Sequence, residues 1–256
     1  MNRIDQLFQQ KKNDILSVYF TAGHPTLDST MPVLTQLEQA GVNMVEIGMP
    51  FSDPLADGPV IQNASTKALK NGMSIKILFE QLKDVRKTIQ MPLLLMGYLN
   101  PVLQFGIKNF CKKCKATGID GVILPDLPLP EYTEQFQQFF EAHDLRFIFL
   151  ITPQTSNERI LEIDRISKGF IYMVSSASTT GAKSAIANKQ IEYFERVKSL
   201  KLKNPLVIGF GISNRETFTS ACQYANGAII GSAFVKTLEE TGEKKESIGN
   251  FIKTIR

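Results

Sequence analysis

Short apolar runs recur along the chain at 16–20, 44–47, 92–96, 121–124, 147–151, 170–174, 206–210 and 228–230, and each is followed by a longer amphipathic stretch. Most of the eight runs are apolar at consecutive positions. That is the pattern of parallel strands covered by helices on one side and by a packed interior on the other. Between them the spacing is helical. Ile75, Leu78, Leu82, Val85 and Ile89 step by three and four residues into one stripe, and 157–166 and 214–224 read the same way. Gly118 stands where a helix ending near Ala116 requires a left-handed residue. Ile4, Leu7 and Phe8 place a further helix ahead of the first strand, positioned to plug one end of the sheet.

Strands alternating with helices predict an α/β fold, and eight such units predict a single (β/α)8 barrel over residues 1–256 with an extra N-terminal helix. An open doubly wound sheet has the same alternation. Its dinucleotide fingerprint is missing, because no first strand is followed by Gly-x-Gly-x-x-Gly.

Composition narrows the classes. Hydrophobic residues make up 43% and charged residues 21% of the chain, which suits a soluble globular protein with a large core. The net charge of +4 is spread without a basic block, so no nucleic-acid partner is expected. Three cysteines cannot close a disulfide framework, and no apolar run approaches the length of a membrane span. A cytoplasmic protein without membrane contact is therefore expected.

In a barrel of this kind, chemistry belongs at the C-terminal ends of the strands. Within Met44-Val45-Glu46-Ile47-Gly48, alternation puts Glu46 on the face opposite Val45 and Ile47. With those two turned to the helices, Glu46 points inward, where burial disfavours its charged form. No strand run supplies a cation to pair with it. The loop Pro50-Phe51-Ser52-Asp53-Pro54-Leu55-Ala56-Asp57-Gly58-Pro59 then adds two acids, which suit proton exchange or, equally, ordinary turns. Ser178-Thr179-Thr180-Gly181, Gly209-Phe210-Gly211-Ile212-Ser213 and Gly231-Ser232-Ala233 follow the last three strands. Small residues there let backbone N–H groups approach an anion, and phosphate sites recur at that place in barrels.

Other candidates are weaker. Cys111 and Cys114 share a helical face with Ile107 and Phe110, which is core packing before it is metal binding. His24 and His143 lie in turn-like sequence and are expected to be exposed. Asp126, after the fourth strand, could face the pocket or shape its own loop.

The stretch Val45-Glu46-Ile47-Gly48-Met49-Pro50-Phe51-Ser52-Asp53-Pro54-Leu55-Ala56-Asp57-Gly58-Pro59-Val60-Ile61-Gln62 resembles the signature of the tryptophan synthase α-subunit family. Phe20-Thr21-Ala22-Gly23, Met96-Gly97-Tyr98-Leu99-Asn100-Pro101, Gly121-Val122-Ile123-Leu124-Pro125-Asp126-Leu127-Pro128 and Gly209-Phe210-Gly211-Ile212 extend the likeness over the chain. The resemblance implies retro-aldol cleavage of indole-3-glycerol phosphate to indole and glyceraldehyde 3-phosphate, with Glu46 and Asp57 as the catalytic carboxylates. It also implies phosphate on Thr180, Gly181, Gly211, Gly231 and Ser232, and indole among Phe20, Leu99 and Tyr172. It implies no metal and no cofactor in this subunit. The implied partner is a β subunit in an α2β2 complex, a pyridoxal-phosphate enzyme that takes the indole through a tunnel and is faced by the loop from Asp53 to Pro59. The chain departs from the family after the sixth strand, where Ser176-Ala177-Ser178-Thr179-Thr180-Gly181 replaces Arg-x-Gly-Val-Thr-Gly.

Overall fold

The computed structural model describes residues 1–175, 188–209 and 211–256. All its strands are parallel and belong to one sheet. They are β1 (Ile15–Thr21), β2 (Met44–Gly48), β3 (Leu93–Met96), β4 (Gly121–Ile123), β5 (Arg146–Phe147), β6 (Leu150–Ile151), β7 (Ile171–Val174), β8 (Leu206–Gly209) and β9 (Gly227–Ile230). Their order is β5-β4-β3-β2-β1-β9-β8-β7-β6.

The predicted fifth run is thus two strands, since Arg146–Phe147 pairs with β4 and Leu150–Ile151 pairs with β7. The single segment between them carries the chain from one edge of the sheet to the other. The barrel is closed there by the covalent backbone, and the eight predicted staves survive as nine hydrogen-bonded strands.

The helices are α1 (Arg3–Gln10), α2 (Thr30–Gln39), α3 (Pro59–Lys70), α4 (Ile75–Leu82), α5 (Leu99–Phe105), α6 (Ile107–Thr117), α7 (Leu129–Glu131), α8 (Gln137–Ala142), α9 (Asn157–Ile166), α10 (Asn188–Ser199), α11 (Arg215–Cys222), α12 (Ser232–Thr241) and α13 (Lys245–Ile255). Gly118 ends α6 in the left-handed conformation, φ 78°. Asn214 caps α11 by accepting from the Thr217 N–H at 2.9 Å. The stripe from Ile75 is helical only to Leu82; a 3-10 turn at Val85–Lys87 then keeps Val85 buried. Among the described residues no helix is long and apolar enough to cross a membrane.

Two apolar layers follow from the two-residue period of the strands. Leu16, Val18, Phe20, Val45, Ile47, Leu93 and Leu95 pack outward against the helices. Ile15, Tyr19, Met44, Leu94, Met96, Phe170, Tyr172 and Ile229 turn inward and fill the barrel. The helix α1 closes the N-terminal ends of the strands. Ile4 is fully buried in the inner layer, and the Phe8 ring lies 5.7 Å from Phe170. Asn2 caps α1 on the Ile4 N–H while its amide donates to the Asp120 and Asp144 carbonyls, each at 2.8 Å. Arg3 adds an ion pair with Asp120 at 3.0 Å.

A methyl group placed on Gly121 would stand 2.9 Å from Ile4 Cδ1, so the glycine at the start of β4 makes room for the plug. Truncating Ile4 leaves a void that this packed interface cannot collapse around. Ile4→Ala is expected to cost about 2–5 kcal/mol in urea unfolding. An unchanged midpoint would show that α1 is no part of the cooperative core.

Candidate active site

The C-terminal end of the barrel differs from its plugged end in what the inward positions carry. Ser17, Tyr19 and Thr21 on β1 face the interior beside Glu46 and Gly48 on β2, with Tyr19 and Glu46 in direct register. Glu46 is fully buried, and its Oε1 accepts one hydrogen bond, from Ser17 Oγ at 3.1 Å. Its Oε2 has no hydrogen-bond partner among the described residues. Burial in this apolar surrounding pushes the carboxyl up to about 8, and the Ser17 hydroxyl pulls weakly the other way.

Asp57 reaches the same region from the loop after β2. Pro59 at the first position of α3 fixes where the loop ends. Gln62, one turn on, donates to the Asp57 carbonyl at 2.8 Å. The Asp57 side chain is buried, and Tyr98 Oη donates to its Oδ2 at 3.0 Å. Burial, less complete here than at Glu46, raises this carboxyl to about 6, and the hydrogen bond from the phenol pulls the other way. The two acids bear on common neighbours: burial first, and then Asp57 and Glu46 among the nearby charges, push the Tyr19 and Tyr172 hydroxyls up.

Those tyrosines occupy space that two glycines leave. A Cβ on Gly48 would lie 2.2 Å from Tyr19 Oη, and one on Gly209 would lie 2.1 Å from Tyr172 Oη. Each ring therefore fills the interior above a neighbouring strand whose own side chain is missing.

The start of α12 stands next to this group. The helix α12 has Gly231 at its N-cap, with no side-chain cap among the described residues and no acid in its first turn, so its first-turn N–H groups have no side-chain acceptor there. Gly231 lies against the Tyr19 Cβ, at 3.6 Å from its own virtual Cβ. Gly211, φ 80°, is exposed at the end of the adjoining β8, close to Ser175. Gly211, Gly231 and Ser232 are thus brought together on neighbouring staves beside β1. Thr180 and Gly181, with the altered loop from Ser176 to Thr179 and Phe210, lie outside the described residues.

Of the three residues expected around indole, only Tyr172 points inward. Phe20 belongs to the outer layer and is fully buried against the helices, because alternation on β1 turns it away from Tyr19. Leu99 is the first residue of α5 and packs in part against that outer layer. Tyr19 and Met96, one and three positions earlier, hold the inward places. The signal was available: Tyr19 is in phase with Ser17 and Glu46, and Met96 with Leu94.

One expectation about polar residues changes, and one open alternative is settled. His24 is buried, with Nε2 3.2 Å from Glu239 Oε2, because α3 and α12 close over the turn that follows β1. Burial lowers its pKa, so the expected exposure does not hold. Asp126 is exposed and shapes its loop, accepting the Leu99 N–H at 3.0 Å on both oxygens. Cys111 and Cys114 are buried in the outer layer beside Phe110, and burial pushes the Cys111 thiol up to about 12.

Comparison with known proteins points one way. The sequence model of the tryptophan synthase alpha chain family matches residues 5–254. The tryptophan synthase alpha chain of Flavobacterium psychrophilum is 59% identical over 255 residues, covering 100% of both chains. That of Christiangramia forsetii is 56% identical, covering 100% of this chain and 99% of its own. Among solved structures, tryptophan synthase of Mycobacterium tuberculosis superposes with a TM-score of 0.88 at 30% identity, over 99% of this chain and 96% of that one. The tryptophan synthase complex of Pyrococcus furiosus gives 0.87 at 34% identity, over 96% and 98%.

Glu46 links the site to folding. Its folded pKa lies above the ordinary carboxylate value of 4.5, so its contribution to stability is complete below that value and is lost as pH rises through about 8. Glu46→Gln removes the titration. Melting temperatures from pH 5 to 8 should fall less with pH in the variant than in the wild type; parallel curves would place the carboxyl in water.

Proposed function

The chain belongs to the tryptophan synthase alpha chain family, and from that premise we propose that it cleaves indole-3-glycerol phosphate to indole and glyceraldehyde 3-phosphate. The observation that carries the reading is a pair of buried carboxyls raised to different extents, about 8 for Glu46 and about 6 for Asp57, beside an uncapped helix N-terminus. Between those values Asp57 is ionised while Glu46 keeps its proton. One fold then offers an acid and an anion at neutral pH.

The chemistry needs both. Glu46 delivers its proton to indole C3, and the ring nitrogen shares its lone pair to form the C=N bond of an indoleninium. The Asp57 carboxylate accepts a hydrogen bond from that N–H and offsets the positive charge. Glu46, now a carboxylate, takes the proton of the glycerol hydroxyl next to the ring. The O–H electrons form the aldehyde C=O, and the broken C–C bond returns its pair to the indole. The proton on Glu46 is thereby restored, and no cofactor is consumed.

The phosphate is held by the N-terminus of α12 with Gly211, Gly231, Ser232 and, by family likeness, Thr180 and Gly181. Tyr19, Met96 and Tyr172 supply the walls for the indole. The loop from Asp53 to Pro59 faces the β partner, and Leu55 at its tip is 92% exposed, an apolar side chain with nothing covering it. The partner supplies pyridoxal phosphate in an α2β2 assembly and receives the indole.

Glu46→Gln and Asp57→Asn should each lower indole release by about 10²- to 10⁴-fold. Near-normal turnover in either variant would remove its residue from the mechanism. In the wild type, kcat/KM should trace a bell with limbs near 6 and 8, the acidic limb from Asp57 and the basic limb from Glu46. A profile rising steadily through pH 9 would exclude the protonated form of Glu46 as the active one.

A further inference from the structure

Resting on the role of Asp57 given above, we propose that Tyr98 is a positioning residue of the reaction, its phenol fixing which Asp57 oxygen faces the substrate and keeping that carboxylate charged. Tyr98 Oη makes two hydrogen bonds, one with the Ala56 N–H at 3.0 Å and one with Asp57 Oδ2 at 3.0 Å. A backbone N–H can only donate, so the phenol oxygen accepts from Ala56. Its own single proton is left for Asp57. The direction of the second bond is therefore set by the first. A donor fixed on Oδ2 leaves Oδ1 for an incoming N–H and favours the ionised carboxyl.

Tyr98 is itself held on several sides. Its backbone is extended, φ −117° and ψ 153°, at the start of α5. The next N–H, of Leu99, is gripped by Asp126 from the loop after β4. The preceding residue, Gly97, donates to the Ile123 carbonyl at 3.1 Å. The ring is 7% exposed and lies 5.4 Å from that of Phe51. Two strands thus anchor the phenol that reaches across to the β2 loop. No other side chain donates to the Asp57 carboxylate among the described residues. Because Ala56 follows the exposed Leu55, the same oxygen also ties Asp57 to the loop tip.

Tyr98→Phe removes the hydroxyl and keeps the ring against Phe51, so the fold should persist, which circular dichroism checks. Two readouts decide the matter in the full chain. The first is the Asp57 titration midpoint, followed by carboxyl-carbon NMR on selectively labelled protein with Asp57→Asn to assign the signal. Loss of the donor should move it upward from about 6. The second is steady-state indole release. The kcat should fall about 10- to 100-fold with KM little changed, as expected for losing one hydrogen bond to a charge, and the acidic limb should move to higher pH. A wild-type midpoint in Tyr98→Phe overturns the proposal, and so does a lowered kcat with the midpoint unmoved, which would make Tyr98 a strut. The titration needs no turnover. Absence of cleavage by the wild type would therefore sink the reaction while the midpoint still decides the Tyr98–Asp57 bond.

Discussion

The Glu46 carboxyl is fully buried, with no cation beside it among the described residues and one hydroxyl, that of Ser17, on one of its oxygens. An acid in that position stays protonated at neutral pH, because the interior cannot solvate its charge. Much of the barrel's upper interior serves to keep it so. Tyr19 and Tyr172 supply bulk around it, and they fit because Gly48 and Gly209 have no side chains to oppose them. The helix α1 seals the far end with Ile4 and Phe8. Folding bears a cost for this carboxyl, which the apolar core around it must offset.

Asp57 has a different setting, and the difference is useful. It comes from a loop, it is less buried, and it has the Tyr98 hydroxyl as a donor. Two carboxyls in one cavity would otherwise titrate alike. Here, the strand acid and the loop acid are separated by solvation and by one hydrogen bond, which is how one site can hold a proton donor and an anion together.

The fold was legible because the apolar runs and the helical stripes obey the periods of their elements. Glu46 was legible because a carboxyl inside such a run is costly to bury, and no neighbouring strand brings a cation to offset that cost. Where the structure differs from the pattern, the reason is equally physical. Phe20 and Leu99 were set by likeness of motif, while the sheet sorts residues by alternation, which favours Tyr19 and Met96. The split of the fifth run at Ile148 depends on which neighbours each half pairs with, and no local pattern carries that. His24 is buried by α3 and α12, elements distant in sequence from its turn. Tyr98 stands two residues after β3. Its partners, Ala56 and Asp57, lie about forty residues away, and only the closed sheet brings them near.

The cap on the barrel's lower end has a further consequence for how the chain is made. Asn2 finds its partners at Asp120 and Asp144, which are synthesised 118 and 142 residues after it. The nascent segment Arg3–Gln10 is amphipathic and cannot bury Ile4 or Phe8 until β4 and the Arg146–Phe147 strand have been synthesised. Until then, its apolar stripe has no native surface to cover it, and Phe8 waits longer still, for Phe170. Ile15 likewise waits for Gly227 to complete the ring. Productive folding is therefore deferred to the late stages of synthesis, and the early chain depends on staying unaggregated until its own middle and end arrive.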